Sequence, residues 1–125
     1  MIALDSSALI AFLRGEQTAA ADTVGIVLAE RQACLPPVVL TELLSDPKLP
    51  ARVAGLVAAL PVLSVSHGYW QRAGDLRARV LTARRRARLA DTLIAQICID
   101  HDVGLVTSDR DFRHFAAVGG LRLLA

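Results

Sequence analysis

The chain begins with Met1-Ile2-Ala3-Leu4-Asp5-Ser6-Ser7, in which four apolar residues are followed at once by an acid and two hydroxyl residues. A short apolar run is typical of a buried strand, and Asp or Ser after it favours the start of a helix. A second run of this kind, Gly104-Leu105-Val106-Thr107, is followed by Ser108 and Asp109. Because the carboxyl ends of parallel strands meet at one edge of a sheet, we expect Asp5 and Asp109 to lie at the same edge.

Predicted strands and helices alternate between and around these two runs. Further strands are predicted at residues 33–35, 61–65 and 121–124, and helices at residues 6–14, 18–32, 38–46, 50–60, 69–86 and 91–101. Such alternation favours a three-layer α/β/α fold with a central parallel sheet of four to five strands. The chain of 125 residues is the size of one ordinary domain, so we expect a single domain over residues 1–125.

The composition argues against a membrane-spanning or secreted protein. Apolar residues make up 54% of the chain, but no stretch approaches the roughly 18 uninterrupted apolar residues that a membrane span needs. The N-terminus lacks the basic region of a signal peptide, so we expect a cytoplasmic protein without membrane association. Cys34 and Cys98 each lie in an apolar run. We interpret both as buried free thiols rather than as a disulfide or metal ligands.

The acidic side chains are the strongest candidates for catalysis or metal binding. Taken singly, Asp5, Asp91, Asp109 and Asp111 could each be helix caps or turn residues. Glu42 is expected among apolar side chains on its helix, where an unpaired carboxylate is costly. Crowded carboxylates repel one another unless a cation lies among them, and Mg²⁺ and Mn²⁺ prefer oxygen ligands. The only lysine, Lys48, is predicted in a turn away from the strand ends, so a divalent metal is the favoured cation.

With their neighbours, the acids form four blocks that resemble the signature of the PIN domain. The blocks are Asp5-Ser6-Ser7, Leu-Thr-Glu-Leu-Leu at 40–44, Ala-Asp-Thr-Leu-Ile-Ala at 90–95, and Val-Thr-Ser-Asp-Arg-Asp-Phe at 106–112. They are most similar to its compact bacterial branch, the VapC toxins of toxin–antitoxin pairs. The resemblance covers essentially the whole chain in order. It departs from the family at Ala90, where many relatives have proline.

This resemblance implies a parallel sheet flanked by helices, one or two Mg²⁺ or Mn²⁺ ions, and endonucleolytic cleavage of RNA. Carried over position by position, the catalytic and metal-binding acids are Asp5, Glu42, Asp91 and Asp109. Asp111 becomes an optional further metal ligand. Ser6 and Thr107 fall where the family often has a hydroxyl that assists the site, although ordinary capping is an equal alternative. A metal-activated water would then attack the phosphodiester and leave 5′-phosphate and 3′-hydroxyl ends.

Arginines are unevenly distributed along the chain. Thirteen of the fourteen cationic residues are arginines, and seven of these fall between positions 72 and 88. Along the helix predicted to begin at Tyr69, six of the seven form two rows beside a buried stripe, namely Arg72, Arg79 and Arg86 on one side and Arg77, Arg84 and Arg88 on the other. The rows are either a solvated helix surface or a phosphate track that leads to Asp91. The candidate RNA contacts are Arg84, Arg85 and Arg88.

Apolar residues near the N-terminus recur at helical spacing, which is more typical of core than of interface. In toxins of the resembled family, however, the early helices commonly receive an antitoxin segment. The candidate antitoxin contacts are therefore Leu9, Phe12, Leu13 and Arg14. By the same resemblance, the expected assembly contains a toxin homodimer.

Other functions stay open at this point. A non-catalytic RNA-binding module would use the arginines and bind RNA without divalent metal. A metal-dependent nuclease acting on DNA would use the same acids. A receiver-type signalling domain or a haloacid-type phosphatase does not fit. The first needs a paired acid and a lysine at the strand ends and the second needs Asp-x-Asp, whereas the first strand here ends in Asp5-Ser6-Ser7.

Overall fold

The computed structural model describes residues 1–124, and its centre is a parallel sheet. The sheet contains β1 (Ile2–Leu4), β2 (Ala33–Cys34) and β3 (Gly104–Val106) in the order β2-β1-β3. One isolated parallel bridge extends each edge, between Leu35 and Val62 and between Leu105 and Leu123. The predicted α/β fold with a parallel sheet is thus confirmed, but the predicted strands 61–65 and 121–124 are each reduced to a bridge. At the first edge, Pro61 has no N–H to extend the ladder.

Helices surround this sheet. They are α1 (Ser6–Leu13), α2 (Ala19–Ala29), α3 (Pro37–Leu44), α4 (Ala51–Ala59), α5 (Tyr69–Thr82), α6 (Leu89–Asp100) and α7 (Phe112–Gly119). The first six confirm the predicted helices, with some ends shifted, whereas α7 was not predicted. The predicted ends of α2 and α5 are too late. Arg31 and Arg84 adopt positive φ angles of 55° and 59°, which stop a right-handed helix.

The core lies on both faces of the sheet, as expected for parallel strands. Leu4 and Leu105 are fully buried in β1 and β3, and the fully buried Phe112 anchors α7 beside them. Cys34 and Cys98 are free and buried, as predicted, and burial raises the pKa of both thiols. Over residues 1–124, no helix combines the length and apolar character needed to cross a membrane.

Strand order determines where the functional residues meet. Because β1 and β3 are parallel neighbours, the residues that follow them lie side by side, and the Asp5 N–H donates to the Val106 carbonyl at 2.9 Å. Helix α6 begins at the same edge and carries Asp91 in its first turn. Helix α3, which packs against α6, contributes Glu42. Four separate segments therefore bring acids to the carboxyl edge of the sheet.

Candidate metal centre

Three carboxylates form the centre of the site. Asp91, Asp109 and Asp111 each offer an oxygen, and these oxygens lie within 4.8 Å of one another. The turn between β3 and α7 holds two of the three, because the Asp111 N–H donates to Asp109 Oδ1 at 2.9 Å. We refer to Asp91, Asp109 and Asp111 as the acidic trio. It is a compact set of hard oxygen ligands of the kind that Mg²⁺ and Mn²⁺ prefer.

Asp91 is the member that helix capping does not explain. The N-cap of α6 is Arg88, three residues earlier, and Asp91 Oδ2 is buried with no hydrogen-bond partner among residues 1–124. Burial and the charges of Asp109 and Asp5 together raise the pKa of Asp91 to about 6, against the opposing charge of Arg88. A buried carboxylate oxygen without a partner is destabilising. A divalent cation would supply the missing partner, so these residues fit a metal.

Asp5 is held by hydroxyl groups. It is only 4% exposed and occupies the N-cap position of α1, yet its side chain makes no capping hydrogen bond. Instead, Asp5 Oδ2 accepts from Ser7 Oγ and Thr107 Oγ1, both at 2.7 Å. The two hydroxyls in turn accept from the N–H groups of Ser108 and Asp109, both at 3.0 Å. This network fixes one carboxylate oxygen of Asp5 and leaves Oδ1 without a hydrogen bond in the described part of the chain.

Sequence reasoning singled out Ser6 and missed Ser7. Ser6 Oγ points to Glu42 Oε1 at the longer distance of 3.4 Å. Glu42 is exposed rather than enclosed by apolar side chains, so that expectation is wrong. Its pKa is nevertheless raised by partial burial and by the charge of Asp5, with the Ser6 hydrogen bond acting against them. Glu42 and Asp5 also raise the pKa of Asp91, so both act on the acidic trio from outside it.

The two predicted rows of arginines do not exist as rows. Helix α5 ends at Thr82, and the arginines on it have structural partners. Arg72 binds Asp100 through Nε at 3.0 Å and Nη2 at 2.7 Å. Arg79 Nε lies 3.2 Å from Asp75 Oδ2. These side chains tie α5 to its surroundings and are not available as a continuous phosphate track.

Residues 83–88 form a loop between α5 and α6, which we call the arginine loop. It is fixed by Arg77 Nε, which donates to the Ala87 carbonyl at 2.8 Å, and by His114 Nδ1, 2.9 Å from the Arg86 carbonyl. Arg86 itself lies 3.6 Å from Asp111, which connects the loop to the acidic trio. Within the arginine loop, the exposed arginines that make no ion pair or side-chain hydrogen bond to any described residue are Arg84, Arg85 and Arg88.

Near the N-terminus, the candidate partner contacts separate into core and surface. Leu9 is fully buried in the core, and Leu13 packs against the core. Phe12 is half-buried and lines a groove of about 550 Å³ between α1 and α2, together with Ile26, which is 58% exposed. Arg14 is exposed at the end of α1. Phe12 and Arg14 are therefore accessible at the surface, whereas the buried Leu9 is not, so its prediction as a partner contact is wrong.

Comparison with known proteins identifies the fold family. The family model of the PIN domain matches residues 2–118. The chain belongs to the PIN domain family. Similar solved structures include VapBC2 from Rickettsia felis bound to a DNA fragment from its promoter, with a TM-score of 0.76, 20% identity and coverage of 99% of this chain and 98% of that chain. DNA-bound VapBC from Salmonella typhimurium has a TM-score of 0.73, 19% identity and coverage of 99% and 98%. No curated protein matches the chain significantly.

These similarities place the acids within a known architecture. At 19% and 20% identity the likeness to the VapBC structures is one of fold, and it extends over nearly the whole of both chains. The PIN domain match includes β1, β3 and α6, which are the elements that carry Asp5, Asp109 and Asp91. The roles of the individual acids rest on the geometry described above.

Proposed function

We propose that this PIN domain is a metal-dependent endoribonuclease and the toxin of a toxin–antitoxin pair. The observation that carries the proposal is the buried, unpartnered Oδ2 of Asp91 beside the oxygens of Asp109 and Asp111. An acid that served only the fold would have a hydrogen bond or an ion pair there. Asp91, Asp109 and Asp111, with Asp5 and Glu42 beside them, would hold one or two Mg²⁺ or Mn²⁺ ions.

The residues of the site then have distinct tasks. The acidic trio would hold a divalent ion, which would supply an activated water and stabilisation of negative charge on the phosphate. Ser7 and Thr107 hold Asp5 Oδ2, so that its other oxygen faces a ligand in a fixed direction. Arg88 lowers the pKa of Asp91 against the neighbouring acids and so favours its ionised, metal-binding form. The exposed Glu42 adds negative charge to the site, since it raises the pKa of Asp91.

Binding of the RNA backbone is assigned to the arginine loop. Arg84, Arg85 and Arg88 are exposed and unengaged in the described residues, and guanidinium groups bind phosphate oxygens in two-point geometry. The loop is anchored to α5 and α7 and ends where α6 begins, two residues before Asp91. An RNA strand bound along it would therefore reach the acidic trio without a change in the fold.

The direct test uses mixed nucleic acid pools. The protein is incubated with an RNA pool and with a single-stranded DNA pool, each with Mn²⁺ or with EDTA, and the new ends are sequenced. We expect cleavage of RNA only, only with Mn²⁺, and with 5′-phosphate ends; an Asp91→Asn variant is the control for a contaminating nuclease. RNA binding without cleavage would indicate the non-catalytic module. Cleavage of DNA alone would indicate the DNA nuclease.

The partner is proposed to be an antitoxin that occupies the groove between α1 and α2. Both similar structures are VapBC assemblies, and Phe12 and Ile26 give this groove an apolar surface that a helix of a partner could cover. Arg14 at the end of α1 would meet an acidic part of that partner, and Leu13 would support the groove from the core side. The expected complex contains a toxin homodimer. Co-expression with the adjacent reading frame should yield an inhibited complex that co-purifies.

A further inference from the structure

A separate cavity opens beside the metal centre, on the far side of the turn that follows β3. It has a volume of about 340 Å³. Its apolar wall comes from Leu105 in β3 and from Leu123 and Leu124 in the chain segment that bridges to β3. Asp109 of the acidic trio lies on its rim. Thr107, which holds Asp5, also lines the cavity, so the cavity adjoins the metal centre and a ligand that spans Asp109 would enter both.

The rim of the cavity is cationic. Arg110 and Arg113 line it, both are exposed, and within residues 1–124 neither has an ion pair or a side-chain hydrogen bond. This distinguishes them from Arg72, Arg79 and Arg86, which bind carboxylates. Planar guanidinium groups stack on aromatic rings and also bind phosphates. An apolar wall below two free guanidinium groups is complementary to a flat aromatic ring attached to an anionic backbone.

We propose that this cavity receives one nucleobase of the RNA, next to the phosphate that is cleaved. The proposal rests on the function proposed above and adds a subsite for the substrate. The volume is at the lower end of the range for small-molecule sites, so the cavity is large enough for one base. Asp109 belongs to the acidic trio and also lines the cavity. An RNA strand whose phosphate lies at the acidic trio therefore has an adjacent base within reach of the cavity. A base held there also fixes the strand in register for cleavage.

The test removes bases one at a time. Once a cleaved sequence has been mapped, synthetic RNAs are prepared that each lack a single base, at successive positions on both sides of the cleaved bond. Base stacking on a protein surface changes affinity by roughly tenfold or more. We expect kcat/KM to fall about tenfold for one position and less than threefold for the others. An equal effect at every position would overturn the proposal.

Two variants connect this effect to the cavity. Arg113→Gln removes a rim guanidinium, and Ala20→Leu places a larger side chain on a residue that lines the cavity. Both should abolish the difference between the intact and the base-deficient RNA, and their Mn²⁺-induced rise in Tm should equal that of the parent. Arg52→Gln, an exposed change on α4, is the matched control and should keep the difference. Ala20 is only 6% exposed, so Arg113→Gln decides the question if Ala20→Leu does not fold.

The outcomes separate this proposal from the proposed function. If the parent cleaves RNA but Arg113→Gln keeps the full tenfold difference in kcat/KM between intact and base-deficient RNA, the cavity does not hold a base. If the parent cleaves no RNA with Mn²⁺, the proposed function fails and the subsite fails with it. The subsite is supported if Arg113→Gln loses the difference in kcat/KM between intact and base-deficient RNA and Arg52→Gln keeps it.

Discussion

Replacing Asp91 by Asn should raise the stability of the metal-free protein while it abolishes cleavage. The side chain keeps its shape but loses a charge that is buried beside Asp109 and Asp5. The new amide group can donate hydrogen bonds to these carboxylates, which the parent acid cannot do when it is ionised. A residue whose only task was to stabilise the fold would show the opposite change in stability.

The size of this effect follows from the raised pKa. Asp91 titrates at about 6 in the folded protein against an ordinary value of 3.8. The folded state thus binds a proton more tightly, and the parent loses stability as the pH rises from about 4 to about 6, with the full penalty above that window. At roughly 1.36 kcal/mol per pH unit the upper limit is about 3 kcal/mol, and solvent screening of a half-buried group reduces it to about 1.5 kcal/mol. For a chain of this size that corresponds to about 6 °C in Tm.

Thermal melts at pH 4 and pH 7.5, with EDTA or with Mn²⁺, measure this difference. In EDTA the Tm of the variant should be higher than that of the parent at pH 7.5 and about the same at pH 4. At hundredfold excess over its Kd, Mn²⁺ should stabilise the parent by about 2.7 kcal/mol and the variant by much less. Asp75→Asn, at an exposed carboxylate on α5, is the control and should respond to Mn²⁺ like the parent. A variant that melts lower than the parent at pH 7.5, or that still cleaves RNA, would refute the reasoning.

Substitutions can also test the metal centre, the arginine loop and the groove between α1 and α2 separately. Ser7→Ala should raise the Mn²⁺ concentration needed for half-maximal Tm shift about tenfold, because Asp5 loses a 2.7 Å hydrogen bond, whereas Ser6→Ala should change it less than about twofold. Equal effects of the two substitutions would refute a distinct role for Ser7. Changing the three free arginines of the arginine loop to Gln should reduce the slope of log K against log salt by roughly 2, and Arg52→Gln should leave it unchanged. Ile26→Glu should prevent capture of the co-expressed antitoxin while RNA cleavage persists; an intact complex would exclude the groove.

The parts of the fold that follow from local pattern were predictable. Apolar runs at β1 and β3 and the periodic stripes of the first six helices were visible in the sequence, and parallel strands place the residues after them at one edge. Helix α7 was missed although it carries usable signals. Phe112 and Phe115 bury one face, and Gly120 ends the helix with a φ of 77°. The spacing of the two phenylalanines and the glycine that follows are therefore sufficient to predict this helix.

The errors at the site have a different cause. Ser7 and Thr107 are separated by 100 residues, and the choice of Ser7 over Ser6 depends on which of two adjacent side chains on α1 turns toward Asp5. Adjacent helical residues point about 100° apart, so one residue separates contact with Asp5 from contact with Glu42. Which of the two serines turns inward depends on the contact between α1 and the turn that follows β3, and the pattern of a single segment does not contain that information. Asp5 and Asp109 were predictable because strand ends converge whatever the packing. The family resemblance supplied Glu42, Asp91, Asp111 and the Thr107 hydroxyl that holds Asp5, but neither source singled out Ser7.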